Sequence, residues 1–379
     1  MDKLRMGLIG LGGRGHLGDG WINNERATVV AGADVSEAEL AAFRERAGEG
    51  VFTTTDYRRL VEREDVDAVA VTAPDWLHEE CAVAALEAGK HVFCEKPLAI
   101  STAGCDHILR AWQASGRRLM VGFNMRYMNI FRVMKEIIDS GAIGEVRAAW
   151  CRHFVGMGGR FYYHDWHARR AGTNSLLLQK GSHDLDMIHW LTGAYTRRVS
   201  AFGSRDFYGG QRSNDLRCSV CEERRDCPEF VDWPGHEQCV WREEVEVEDN
   251  NVVIMELEGG IKASYLQCHF TPDYQRNYTI IGTEGRIENS EPEMKVWVKT
   301  RSGEGYKFLA DRTYDVKEYQ GGHAGGDPRI TEDFLDMILE GKEPVAPPLA
   351  GRMSVAAGCA AAESMRAGGG VVEVPVVEW

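Results

Sequence analysis

The first 124 residues repeat one pattern: a short apolar run, a longer amphipathic stretch, then another apolar run. The apolar runs are RMGLIGLG (5–12), ATVVAGAD (27–34), DAVAVTAP (67–74), HVFCEKP (91–97) and LMVGFNMRY (119–127). HEECAVAALEAGK (78–90) and CDHILRAWQASGRR (105–118) are two of the amphipathic stretches between them. A run that is apolar on both faces suits a strand covered on both sides. Helices long enough to cross over between parallel strands provide that cover. The alternation predicts an α/β Rossmann domain, a doubly wound parallel sheet, over residues 1–124.

The first run ends in glycines. Gly10, Gly12 and Gly15 fit G-x-G-x-x-G, with Gly13 and Arg14 inside the loop. Such a loop turns tightly, lets the backbone approach a pyrophosphate and packs the next helix close. The helix then offers its free N–H groups to the phosphates. Alone the motif is a common turn. Asp34, at the end of the second run, stands close to the ~20-residue offset at which an acid takes the ribose hydroxyls. An acid there favours NAD, because a 2′-phosphate would meet like charge. Arg14 could offset that charge, which leaves NADP as the alternative cofactor.

The chain has 379 residues, enough for two domains. Its net charge of −14 opposes binding to nucleic acid or an anionic membrane and is neutral towards a small uncharged substrate. No run reaches the ~18 apolar residues of a membrane span, and the N-terminus lacks a signal-peptide cleavage pattern, so the expected location is cytoplasmic.

Ten cysteines are present. Six lie among apolar neighbours. Cys218, Cys221, Cys227 and Cys239 form C-x₂-C-x₅-C-x₁₁-C in a polar insert at about 214–242. In a reducing compartment that spacing points to a structural zinc site, against the alternative of free or disulfide-paired cysteines.

Three stretches together resemble the Gfo/Idh/MocA family of oxidoreductases: GLGGRG with Asp34, APDWLHEECAVAALEAGKHVFCEKPLA (73–99), and LLLQKGSHDLDMIHWLTG (176–193). The resemblance implies an NAD(P)-dependent dehydrogenase acting on CH–OH groups. It also implies that Pro74, His78, Glu95 and Lys96 belong to the cofactor site. Residues 125–379 would form an α+β domain, with a large, mostly antiparallel sheet and a C-terminal helix, that binds substrate and builds a homo-oligomer, a dimer or tetramer. The residues agree on the sheet: EVRAAWCRHFV (145–155), the stretch 247–270, NYTIIGTEGRIENS (277–290) and EMKVWVKT (293–300) alternate, with glycine turns between them.

Lys96 ends a strand, where ligands sit in open α/β sheets, and can polarise a substrate oxygen. His183 matches the family's catalytic histidine, and imidazole titrates near neutral pH. Asp186, three residues on, would share its helix face and orient the ring. Family members commonly carry an aspartate four residues before this histidine. Here that position is Gln179, an amide that binds a hydroxyl but takes no proton, so Lys180 or His167 would assist His183. FYYHDWHARRAGTNSLLLQ (161–179) is rich in aromatic and ionisable side chains, which places Trp166, His167 and Arg169 against a carbohydrate-like substrate. Asn124 and Arg126 follow the last N-terminal strand and are expected in the same site, Asn124 on the cofactor and Arg126 on the substrate. The expected activity is oxidation of a ring hydroxyl of a sugar, cyclitol or glycoside, or reduction of the ketone. The alternatives are a redox-neutral, NAD-retaining glycosidase or lyase and a non-catalytic NAD-binding regulator.

Overall fold

Strand β1 (Leu4–Ile9) is buried along almost its whole length and pairs in parallel on both sides, with β2 (Ala27–Ala33) and β4 (Ala68–Val71). With β3 (Phe52–Thr54), β5 (His91–Cys94) and β6 (Leu119–Val121) these make a six-stranded parallel sheet in the order β3-β2-β1-β4-β5-β6. The register sets Ile9 beside both Ala33 and Val71, so three strands end together at the glycine loop. This is the Rossmann topology that the alternation predicts.

The computed structural model describes residues 3–233, 235–301 and 310–377. The chain divides into two compact units, Met1–Asn129 with Glu318–Val355, and Ile130–Lys317 with Ala356–Trp379. The sequence pattern puts everything after residue 124 in one second domain; in the structure, 318–355 packs with the first unit. The reason lies in the helix Gly326–Leu339. Its Phe334 meets Trp21 and Phe93 edge to face, with ring centroids 5.7 Å from each, and the Trp21 indole N–H donates to the Thr331 carbonyl at 3.1 Å.

The second unit is built on a nine-stranded sheet. Its strands are β7 (Val146–Phe154), β8 (Thr196–Ser204), β9 (Asn250–Leu257), β10 (Lys262–Cys268), β11 (Gln275–Gly282), β12 (Gly285–Ser290), β13 (Lys295–Thr300), β14 (Arg312–Asp315) and β15 (Val372–Glu373). The order is β14-β13-β12-β11-β7-β10-β9-β8-β15, and only the β7–β10 pair is parallel. Burial alternates along β7, β9 and β10, so one face is covered. The other face exposes Trp150, Phe202, Val252, Ile254 and Leu266, which the register sets on neighbouring rungs. Among the described residues no helix is long and apolar enough to cross a membrane.

Candidate active site

In the first unit the chain turns out of β1 through Gly10, whose φ is +87°; a Cβ there would lie 2.5 Å from the Ala73 nitrogen. A Cβ on Gly15 would lie 2.5 Å from the Gly10 carbonyl oxygen. Both positions therefore demand glycine, and the loop keeps a bare backbone at the carboxyl ends of the strands. Gly12 and Gly13 complete it and lead into the turn Gly13–Gly18. Asp34 stands directly after β2. One of its carboxylate oxygens accepts the Leu11 N–H at 2.8 Å and the other the Ser36 N–H at 2.9 Å. The acid thus holds the loop in shape and stays at the strand end where a ribose would lie. These features fit a dinucleotide.

Arg14 donates Nε to Glu95 at 2.6 Å and both terminal nitrogens to Asp327 at 2.9 and 2.8 Å. The two carboxylates hold its guanidinium charged more firmly than usual, although burial opposes this most strongly. Arg14 is therefore engaged inside the unit by two carboxylates. Glu95 is buried and also accepts the Lys96 backbone N–H at 3.0 Å. It ties the glycine loop to the strand end that carries Lys96. The Lys96–Pro97 peptide is cis. The His78 ring lies between the Pro97 carbonyl (2.7 Å) and the Ala73 carbonyl (2.8 Å), just beyond Pro74. Burial pushes its pKa down, so the ring is neutral and donates to one carbonyl at a time. Asn124 is buried and donates to Asp327 at 3.0 Å, leaving its side-chain carbonyl oxygen without a hydrogen bond. Arg126, expected at the substrate, is buried and donates to the Val345 carbonyl at 2.6 Å. It braces the returning segment, a role no local pattern announces.

In the second unit, Ser175 caps the turn Leu176–Gln179, in which Gln179 is buried. Lys180 then precedes the helix Gly181–Thr192, and buried His183 lies in its first turn. The neighbouring Asp184 fixes this helix to the sheet. It is fully buried and accepts from His153 Nδ1 at 2.9 Å, from the Tyr265 hydroxyl at 2.8 Å and from the Tyr278 hydroxyl, and it pairs with Arg276 at 2.9 Å. Burial works against this charge, and Arg276 and His153 overcome it, so the carboxyl sits well below the usual range. Asp186, expected to orient His183, is buried on the same helix; the anchoring acid is Asp184.

Lys180 Nζ lies 5.6 Å above the Tyr162 ring and forms no hydrogen bond or ion pair among the described residues. Burial, its largest influence, pushes its pKa down. Tyr162 also meets His167 and His269 edge to face, at 5.6 and 5.3 Å, and the Trp166 and His167 rings stack at 3.7 Å. Burial and then Arg276 push His153 down to about 3, so its Nδ1–H donates to Asp184 and Nε2 keeps an unpartnered lone pair. Among the described residues neither ring nitrogen of fully buried His269 has a hydrogen-bond partner. Burial lifts the Glu291 carboxyl to about 7 against the pull of Arg276. An aromatic platform, an unpaired amine and several open acceptors suit a hydroxyl-rich molecule and the movement of its proton.

Tyr162, His153, His269, Arg276 and Glu291 are not legible as individuals in the sequence. All but Tyr162 come from the same end of β7, β10, β11 and β12. The available signal was a histidine at an inward position of EVRAAWCRHFV, where alternation calls for an apolar residue. Arg169, expected on the substrate, is exposed and ion-paired with Glu244. Cys218, Cys221, Cys227 and Cys239 lie together in the insert after β8; among the described residues no three His, Cys, Asp or Glu side chains converge closely enough to hold a metal as they stand.

The family model described as "Oxidoreductase family, NAD-binding Rossmann fold" matches residues 4–123, and "Oxidoreductase family, C-terminal alpha/beta domain" matches 135–374. The inositol 2-dehydrogenase of Klebsiella pneumoniae is 38% identical over 200 residues, which span 52% of this chain and 57% of that enzyme. In fold, the chain is similar to levoglucosan dehydrogenase solved with NADH and levoglucosan (TM-score 0.80, 22% identity, 99% and 100% of the two chains). It is also similar to the WlbA dehydrogenase of Bordetella pertussis solved with NADH and UDP-GlcNAcA (TM-score 0.75, 20% identity, 99% and 100%).

Proposed function

Because the chain belongs to the Gfo/Idh/MocA family of oxidoreductases, we propose that it is an NAD-dependent dehydrogenase oxidising a ring hydroxyl of a sugar, cyclitol or glycoside. The observation that carries this reading is Lys180, a partly buried amine with no ion pair among the described residues, held against Tyr162 in the turn that leads to His183. The substrates named for the similar dehydrogenases, inositol and levoglucosan, are of the proposed class.

NAD, when bound, would supply a hydride acceptor for the carbinol carbon. The glycine loop and Asp34 would hold it, and the commitment of Arg14 to Glu95 and Asp327 supports NAD over NADP. Lys96 donates to the substrate oxygen and keeps it oriented. His183 receives the hydroxyl proton, and Lys180, with its lowered affinity for protons, sets the charge around it. Trp166, His167 and Gln179 offer a stacking face and hydrogen bonds to the remaining hydroxyls. The exposed apolar rungs of the second sheet support assembly into a homo-oligomer.

The test is to incubate the chain with NAD and a panel of cyclitols, sugars and glycosides and to count NADH formed per substrate consumed. A ratio near one is expected. Substrate consumption without NADH would replace this reading with a redox-neutral elimination.

A further inference from the structure

The cysteine insert takes no part in the chemistry above, yet it is organised. Cys218 and Cys239 are buried, Cys221 and Cys227 partly so, and all four are free thiols. They line one cavity of about 20 Å³, room for a single small ion or water. An isolated antiparallel bridge joins Arg217 to Gln238, with the Cys218 N–H donating to the Glu237 carbonyl and the Cys239 N–H to the Leu216 carbonyl, both at 2.9 Å. The first and last cysteines thereby stand diagonally across the bridge, on the same face of it.

Each cysteine also opens a tight turn. The amides of Cys221, Arg224, Phe230 and Arg242 donate to the carbonyls of Cys218, Cys221, Cys227 and Cys239, at 3.2–3.3 Å. The backbone amides of Val231 and Trp241 bond to the sulfurs of Cys218 and Cys239. Burial is the larger influence and raises both thiols above their ordinary range against these amides, so a thiolate there needs a cation bonded to it. Arg212, Arg217 and Arg224 line the cavity against the carboxylates Glu223 and Glu229, an excess of positive charge that suits a thiolate centre. The insert itself is mostly exposed, and among the described residues between Phe207 and Asn250 the one short helical turn is Cys218–Val220. It has little core of its own to hold this arrangement.

We propose that Cys218, Cys221, Cys227 and Cys239 bind one zinc ion. Four thiols lose four protons as four Zn–S bonds form, and nothing is oxidised. The sulfurs do not yet meet at bonding distance, so the ion draws them to about 2.3 Å from itself by side-chain rotation. The centre then braces the loop that carries Tyr162 and His167. The His164 ring is held between the Gln238 and Glu229 carbonyls at 2.6 and 2.7 Å, the Gln238 N–H returns to the His164 carbonyl at 3.1 Å, and Arg242 donates to the Tyr163 carbonyl. This bracing role rests on the dehydrogenase reading; the metal site does not.

The test is zinc per chain by plasma mass spectrometry on the full chain, purified in reductant without chelator. A value near one is expected, falling at least tenfold in C221S and C227S, the two less buried positions, and unchanged in C268S outside the cluster. Because a serine variant can misfold, the wild-type chain is also stripped with a mercurial: about one zinc, detected by a metallochromic dye, should be released as four thiols are titrated. Less than a tenth of a zinc per chain, iron in its place, or two disulfides by intact mass would each overturn the proposal. A chain that holds zinc but forms no NADH would refute the proposed activity and leave the metal site standing.

Discussion

Arg14 and Asp327, 313 residues apart in the sequence, are joined by two parallel hydrogen bonds of 2.9 and 2.8 Å. The pair ties the glycine loop to the helix that returns from the far end of the chain. Both side chains are largely shielded from water, so removing one charge strands the other. D327N should lower stability by about 1–3 kcal/mol, read from the denaturant midpoint, and weaken NAD binding measured by calorimetry. Unchanged NAD affinity would mean that the loop holds its shape without this tie.

Asp34 should decide the cofactor. Its carboxylate stays at the end of β2, and Arg14 is occupied elsewhere. D34S is expected to raise KM for NAD about tenfold, roughly 1.4 kcal/mol, and to narrow the preference for NAD over NADP. If initial rates with the two cofactors keep their wild-type ratio, Asp34 only shapes the loop.

K180M and K96M should each reduce kcat/KM by about 10²- to 10⁴-fold, the usual span for a lost proton-handling group, with thermal midpoints close to wild type. The two differ in their pH profiles. Lys180 loses its proton below the ordinary lysine range because burial disfavours the cation. If its protonated form is required, wild-type kcat/KM falls as pH rises through that lowered value, and the limb disappears in K180M. A K180M profile that keeps the alkaline limb would assign the limb to another group.

His153 predicts how stability follows acidity. Its folded value is about 3, while an unfolded histidine titrates near ~6.5. Below ~6.5 the unfolded chain takes up a proton that the native chain refuses. Stability is therefore full above that pH and declines as pH falls towards 3, with a slope of up to about 1.4 kcal/mol per pH unit from this residue. Urea midpoints from pH 7.5 to 5 measure the decline, and H153N should flatten it. A slope that H153N leaves untouched would place the sensitive group elsewhere.

The parallel sheet, the glycine loop and Asp34 are legible in the sequence because each is local: an apolar run, a turn that only glycine can make, an acid at a strand end. The Asp184 anchor is not. His153, Tyr265, Arg276 and Tyr278 reach one carboxylate only because β7 pairs with β10 on one side and β11 on the other, and strand order leaves no trace in alternation. SHDLD (182–186) reads as a helix start either way, so the sequence cannot say which of its acids faces the sheet. The return of 318–355 to the first unit is hidden for the same reason. The helix Gly326–Leu339 carries an apolar stripe that would suit either unit, and its partners, Trp21 and Arg14, stand some three hundred residues earlier.

That return makes the two units interleaved rather than consecutive. A ribosome that has finished residue 129 has made every strand of the parallel sheet but not the helix bearing Asp327 and Phe334. Until residue 339 emerges, Arg14 lacks its second carboxylate and the Trp21–Phe93 surface lacks its cover. The nucleotide half therefore matures only after strands β7 to β14 of the other half have been synthesised. An N-terminal fragment cut at residue 129 should be an open, sticky sheet, whereas one rejoined to 318–355 has the parts to close.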